Sequence, residues 1–227
     1  MIATATNTVV ATIGVERYPS AVAITPPQPQ AITFTSTPPS PALFGGTYTV
    51  AATGGDSGNP VTFSSLSTGV CTVSGSTVSF IAVGSCTVAA DQAAGGNYTA
   101  APQALQTFNV IFAFTGFGSP VANAPTANSA KAGHDIKVKF SLAGNQGLNV
   151  LQAGSPTSGV ITGPCSTNGF PASVTPTTAS APFTYDPVAN QYMYSWQTQS
   201  AWIGSCRQFI LILSDGTVHR ANFQFNK

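Results

Sequence analysis

The chain has 227 residues, of which only 6% are Asp, Glu, Lys or Arg, against roughly a quarter in an average globular protein. Its hydrophobic share of 43% and net charge of +1 exclude the low-hydrophobicity, high-charge composition of a disordered chain. Seven basic residues are too few for the Lys/Arg stripe of a nucleic-acid binder, and no apolar run reaches the ~20 residues of a membrane span.

The first stretch, ATATNTVVATIGVERYPSAVAIT, holds two β-prone runs, Thr8–Ile13 and Ala21–Thr25, divided by a turn from Gly14 to Pro19. Alternation puts Val9 and Ile13 on one face; with Val22 and Ile24 they form a candidate strand-donor set. An isolated two-stranded hairpin is marginal in water, so these runs are expected to pair with a sheet edge of the same chain or of a neighbouring copy. Ala5–Pro26 resembles the end of one repeat of the YVTN-type β-propeller family, with Glu16 where that family has Gly. The resemblance covers about half of one blade and no YVTN box follows, so no propeller is expected. Met1-Ile2-Ala3-Thr4 lacks the basic and apolar regions of a secretory leader. For a secreted protein that implies a removed leader or a piece of a longer chain, and the propeller-like start favours the piece. Pro26-Pro27-Gln28-Pro29 reads as a stiff linker, closing a segment over residues 1–27.

Residues 28–112 change to short alternating runs punctuated by Gly and Pro: Ile32–Ser36, Thr47–Ala52, Val61–Ser64, Cys71–Val73, Thr77–Ala82, Cys86–Ala90 and Gln106–Phe112. Strands at this spacing predict an immunoglobulin-like sandwich. The stretches ITFTSTPPSPALFGGTYTVAAT, PVTFSS and GVCTVSGSTVSFIAVGSCTVAADQAAGGNYTAAPQALQTFNV resemble the bacterial Ig-like repeats of large surface proteins, both cysteines included. Such repeats imply spacing and display.

Residues 113–227 read as a second all-β unit. Pro125–Gly133, Ile136–Leu142, Tyr185-Asp186-Pro187, Gln191–Trp196, Ala201–Gln208 and Asp215–Phe223 resemble the PxKF domain of bacterial secreted proteins. Lys137 stands where the family has its namesake proline. A proline there removes an edge-strand N–H; lysine restores it and guards the edge by charge. The resemblance implies no activity. The fold expected for the whole is all-β: two tandem immunoglobulin-like β-sandwiches preceded by a short strand segment.

Four cysteines, without CxxC spacing and away from both histidines, favour disulfides in an oxidising compartment over a metal site. One pair in each sandwich predicts Cys71–Cys86 and Cys165–Cys206. In a flat meander Cys71 and Cys86 would sit two strand spacings apart, ~9.6 Å, too far to bridge. Their bond therefore requires the Cys86 strand to cross to the opposite sheet.

Few residues offer chemistry. Gly55-Asp56-Ser57-Gly58 copies the letters around a trypsin-like nucleophile, but no histidine precedes His134 to serve as its base. An exposed polar turn is expected instead. Asp215-Gly216 reads as a hairpin turn, with His219 and Arg220 on opposite faces of the following strand. His134-Asp135 reads as a solvated strand start. The six acids are isolated along the chain, which leaves no carboxylate pair for glycoside hydrolysis. Asp186 with Asn190 is the nearest approach to a calcium loop, and one carboxylate is too few. No cofactor or metal is expected.

Tyr192, Tyr194 and Trp196 alternate, and Tyr185 and Trp202 lie close by. Buried, this face is the core of the second sandwich; exposed, with Trp202, it is a platform for stacking sugar rings. The leading expectation is a non-enzymatic stalk, spacer or display module of a bacterial extracellular or cell-surface protein. Its partners would be its own upstream domain or neighbouring copies. The alternatives are a fibre subunit joined by strand complementation through residues 3–25, and a polysaccharide-binding adhesin.

Overall fold

The computed structural model describes Ile2–Ala3, Thr8–Val9 and residues 25–227. The chain is all-β; among the described residues the one helical turn is a 3-10 turn at Ser200–Trp202. Strand β1 (Ile2–Ala3) pairs antiparallel with β2 (Thr8–Val9), setting Val9 opposite Ile2. Among the described residues Val9 is paired with this local strand. Ile13, Val22 and Ile24 lie outside the described residues.

Nine strands follow up to Ile111: β3 (Thr33–Phe34), β4 (Ala42–Leu43), β5 (Thr47–Thr49), β6 (Ala52–Thr53), β7 (Thr62–Ser65), β8 (Cys71–Ser74), β9 (Thr77–Phe80), β10 (Gly84–Asp91) and β11 (Ala104–Ile111). They form a four-stranded sheet β4-β11-β10-β7, a three-stranded sheet β5-β9-β8 and the pair β3-β6. All pairings are antiparallel except β4 with β11. Alternation decides which side is buried: Val78 and Phe80 of β9 meet Cys86 and Val88 of β10 and Val110 of β11 in one core. The Cys71–Cys86 disulfide links β8 in one sheet to β10 in another, with Cα atoms 5.7 Å apart. The expected crossing of the Cys86 strand is what brings the two thiols together.

One expected strand divides. Thr47–Thr49 pairs with β9, whereas Ala52–Thr53 pairs with β3. Between them Val50 is buried and its N–H donates to the Ser76 carbonyl at 2.8 Å. A buried residue at the crossing lets the chain leave one sheet for another without stranding a backbone group.

The remaining chain supplies β12 (Phe117–Gly118), β13 (Ala127–Lys131), β14 (Ile136–Phe140), β15 (Thr157–Val160), β16 (Thr175–Pro176), β17 (Thr178–Ala179), β18 (Thr184–Asp186), β19 (Gln191–Gln197), β20 (Cys206–Ile212) and β21 (Val218–Asn226). One sheet runs β12-β14-β19-β17 with β18 also on β19; the other runs β13-β21-β20-β15-β16. Their facing sides close on a second core, in which Val138, Phe140, Tyr192 and Trp196 meet Phe209, Leu211, Phe223 and Phe225. Trp196 is its centre, with ring centroids 5.2 Å from Phe209 and 5.4 Å from Phe223. The β20–β21 hairpin turns at Asp215-Gly216, where Gly216 has φ +83° and Asp215 Oδ1 accepts the Thr217 N–H at 2.9 Å.

Candidate functional site

The aromatic set is the first candidate, and its position decides what it can do. Tyr192, Tyr194 and Trp196 are buried in the second core, which leaves no exposed platform on this strand. The two phenols are satisfied at the rim, where the Gln146 N–H donates to Tyr192 Oη at 2.5 Å and Tyr194 Oη shares a 2.6 Å hydrogen bond with Thr177 Oγ1, whereas the buried Trp196 Nε1–H has no partner. Burial pushes both phenols above their ordinary pKa. Trp202 is half-buried, and the Arg207 guanidinium sits 4.1 Å from its ring centroid. The side chain nearest to a sugar-stacking surface is therefore already covered. Partial burial lowers the pKa of Arg207.

The Gly55–Gly58 segment is a turn, but Ser57 is not exposed: it is 9% accessible. Two buried glutamines pull it inward. Gln92 Oε1 accepts the Gly55 N–H at 2.7 Å, and its Nε2 donates to the carbonyls of Gly55 and Asn59 at 3.0 and 2.9 Å. Gln30 Oε1 accepts the Ser57 N–H at 3.1 Å while its Nε2 donates to the Thr99 carbonyl at 2.7 Å. Ser57 Oγ accepts the Asn59 N–H at 3.4 Å and has no imidazole beside it to act as base. The two side-chain amides substitute for a missing strand partner, because each carries a donor and an acceptor. Sequence reasoning missed both, since a buried glutamine has no periodic signature.

A similar device covers the outer side of β20 and β21. Fully buried Gln208 and Asn222 hydrogen-bond to each other at 2.8 Å, and they donate to the Gly169 and Thr167 carbonyls at 3.0 and 2.8 Å. Arg220 lies over the Phe170 ring at 4.2 Å and donates to the Asn168 carbonyl at 2.6 Å. The Cys165–Cys206 disulfide anchors the same loop. On the opposite face of β21, His219 stacks on Phe114 with ring centroids 3.6 Å apart. His219 and Arg220 thus diverge, and neither joins the other in one site.

His219 nonetheless belongs to a built polar group. Asp215 Oδ2 accepts the Phe112 N–H at 2.7 Å, Asp215 Oδ1 accepts the Thr217 hydroxyl at 2.6 Å, and Thr217 Oγ1 lies 3.0 Å from His219 Nε2. Burial lowers the His219 pKa to about 4, against a smaller opposing pull from Asp215. A neutral imidazole stacked on a phenyl ring joins surfaces; it is not poised to exchange protons near neutrality. Asp186 is occupied as a turn former, its Oδ1 accepting the Val188 and Ala189 N–H groups at 2.8 and 3.1 Å. Among the described residues no group of three His, Cys, Asp or Glu side chains gathers to hold a metal.

A cleft of about 530 Å³ opens on the flank of the C-terminal sheets between β13 and β14. Lys131, Lys137 and Lys139 line it, with Asp135 as its one carboxylate and Ile136 and Met193 among its apolar surfaces. Lys137 Nζ donates to Ser195 Oγ at 2.6 Å. Neither a protein-family model nor a curated protein matches the chain.

Proposed function

We propose that the chain is a non-enzymatic structural module of a bacterial extracellular protein. In this reading residues 28–112 are an Ig-like repeat and residues 113–227 a PxKF-like domain. Two immunoglobulin-like sandwiches in series would act as a stalk that holds an upstream domain, or neighbouring copies, at a set distance from the surface. The two disulfides fit a non-reducing, extracellular environment.

The observation that carries the proposal is the junction between the two cores. The Phe112 N–H is held by Asp215, Phe114 is stacked on His219, and Val83 from the first unit packs against the core of the second. A spacer needs a connection that transmits orientation, and default linkers between domains leave them free to move. Small-angle scattering of the full chain tests this. One fixed arrangement should fit the wild-type curve, and the double variant Asp215→Ala/Phe114→Ala should broaden the distance distribution. A wild-type curve that already demands many arrangements would remove the basis for a spacer.

A further inference from the structure

We infer that the cleft between β13 and β14 is a docking site for an acidic, extended polypeptide segment of another protein, which adds as a strand to the open sheet edge. This goes beyond the spacer reading and does not depend on it.

The backbone supplies the first half of the argument. β13 is the end strand of its sheet and pairs with β21 alone among the described strands. β14 is covered on its outer side by β12 only at Lys139 and Phe140, so Ile136–Val138 pair with β19 alone among the described strands. The two C-terminal sheets therefore leave neighbouring edges open on the same flank, and the cleft lies between them. An open edge carries unpaired N–H and C=O groups that an extended chain can match. The apolar side chains of Ile136 and Met193 give alternate residues of that chain something to cover.

Charge decides the occupant. The chain has seven basic side chains in 227 residues, and three of them, Lys131, Lys137 and Lys139, meet in this cleft with a single carboxylate, Asp135. Lys131 and Lys137 are exposed and Lys139 is half-buried. Lysines along an edge repel the same edge of a second copy. Nor does this protein hold a strand of opposite charge, because its acids, Glu16, Asp56, Asp91, Asp135, Asp186 and Asp215, never come two to a segment. A second copy is thus a poor occupant, and an acidic strand from a different polypeptide is the complement.

The test uses the full chain and a fluorescein-labelled peptide, Glu-Thr-Glu-Val-Glu-Thr-Glu-Val, with anisotropy read at low salt. Saturable binding is expected, weakened roughly tenfold by Lys131→Glu/Lys137→Glu and again by raised salt. Lys131→Met/Lys137→Met serves as a second variant, and unchanged thermal melting of both shows that they fold. N-methylation of alternate peptide amides should abolish binding, since strand addition needs those groups. The inference is overturned by absence of saturation below about 1 mM, by equal binding of the Gln-for-Glu or N-methylated peptide, or by tighter binding of hyaluronate than of the peptide. Sedimentation showing a dimer that the Lys→Glu variant dissolves would overturn it in favour of a second copy.

Discussion

The backbone N–H of Phe112 donates to Oδ2 of Asp215 at 2.7 Å, a contact spanning 103 residues of chain. One carboxylate thereby ties the last residue before the second unit to the turn of that unit's terminal hairpin. Asp215 also holds the Thr217 N–H and hydroxyl through Oδ1. Asp215→Ala should cost about 1–3 kcal/mol, the usual effect of leaving partly buried donors without their acceptor. Chemical denaturation measures the loss, and limited proteolysis should show new cleavage between residues 112 and 117.

Acid should weaken the same junction through His219. Its folded pKa of about 4 lies below the ordinary 6.5, so the unfolded chain binds the proton more readily. The associated stability is present in full above pH 6.5 and is lost as pH falls toward 4. His219→Phe keeps a ring against Phe114 and removes the titration. As pH falls from 6.5 toward 4, the melting temperature of the wild type should drop further than that of His219→Phe.

Opening the disulfides should destabilise each unit separately. In the chain-entropy picture, closing loops of 15 and 41 residues contributes roughly 3 and 4 kcal/mol. Thiol titration of the unfolded, unreduced protein should find no reactive cysteine. Cys165→Ser/Cys206→Ser should also raise amide exchange in residues 163–174, while Cys71→Ser/Cys86→Ser should leave that loop protected.

Within the first unit, Gln92 and Ser57 should behave oppositely to their appearance in the sequence. Gln92→Ala removes hydrogen bonds to Gly55 and Asn59 and should cost about 2–3 kcal/mol. Ser57→Ala gives up one long contact to the Asn59 N–H and should cost less than about 1 kcal/mol. Urea unfolding of the two variants compares them. A larger loss for Ser57→Ala would mean that the hydroxyl, and not the glutamines, organises the turn.

The all-β class was legible because short alternating runs with Gly and Pro between them leave little room for a helix. Cys71–Cys86 was legible because one cysteine pair falls in each half of the chain, and strand spacing then required the Cys86 strand to lie on the other sheet. Less readable was β4, whose Ala42 and Leu43 pair parallel with Val110 and Ile111 after a proline-rich stretch. A two-residue strand has no alternation to detect. Thr47–Ala52 ran on as one strand because the letters on both sides of Val50 are equally β-prone, and only tertiary pairing divides them. Tyr192, Tyr194 and Trp196 were legible as one face, but which side met solvent depended on Phe209 and Phe223 across the core. Buried Gln30, Gln92, Gln208 and Asn222 were illegible, since composition assigns such residues to the surface and their partners are distant carbonyls.

The parallel pairing of β13 with β21 has a mechanical consequence. Five consecutive residues, Ala127–Lys131, lie in register with Asn222–Asn226, joining the beginning of the second unit to its end. Tension applied to the two ends of this unit draws those strands past each other lengthwise. Their inter-strand hydrogen bonds run across the strands, so the ladder is loaded in shear and must yield together instead of opening one bond at a time. The short parallel pair β4–β11 repeats that geometry on a smaller scale in the first unit. Under tension the second unit would give way last where β13 and β21 lie side by side.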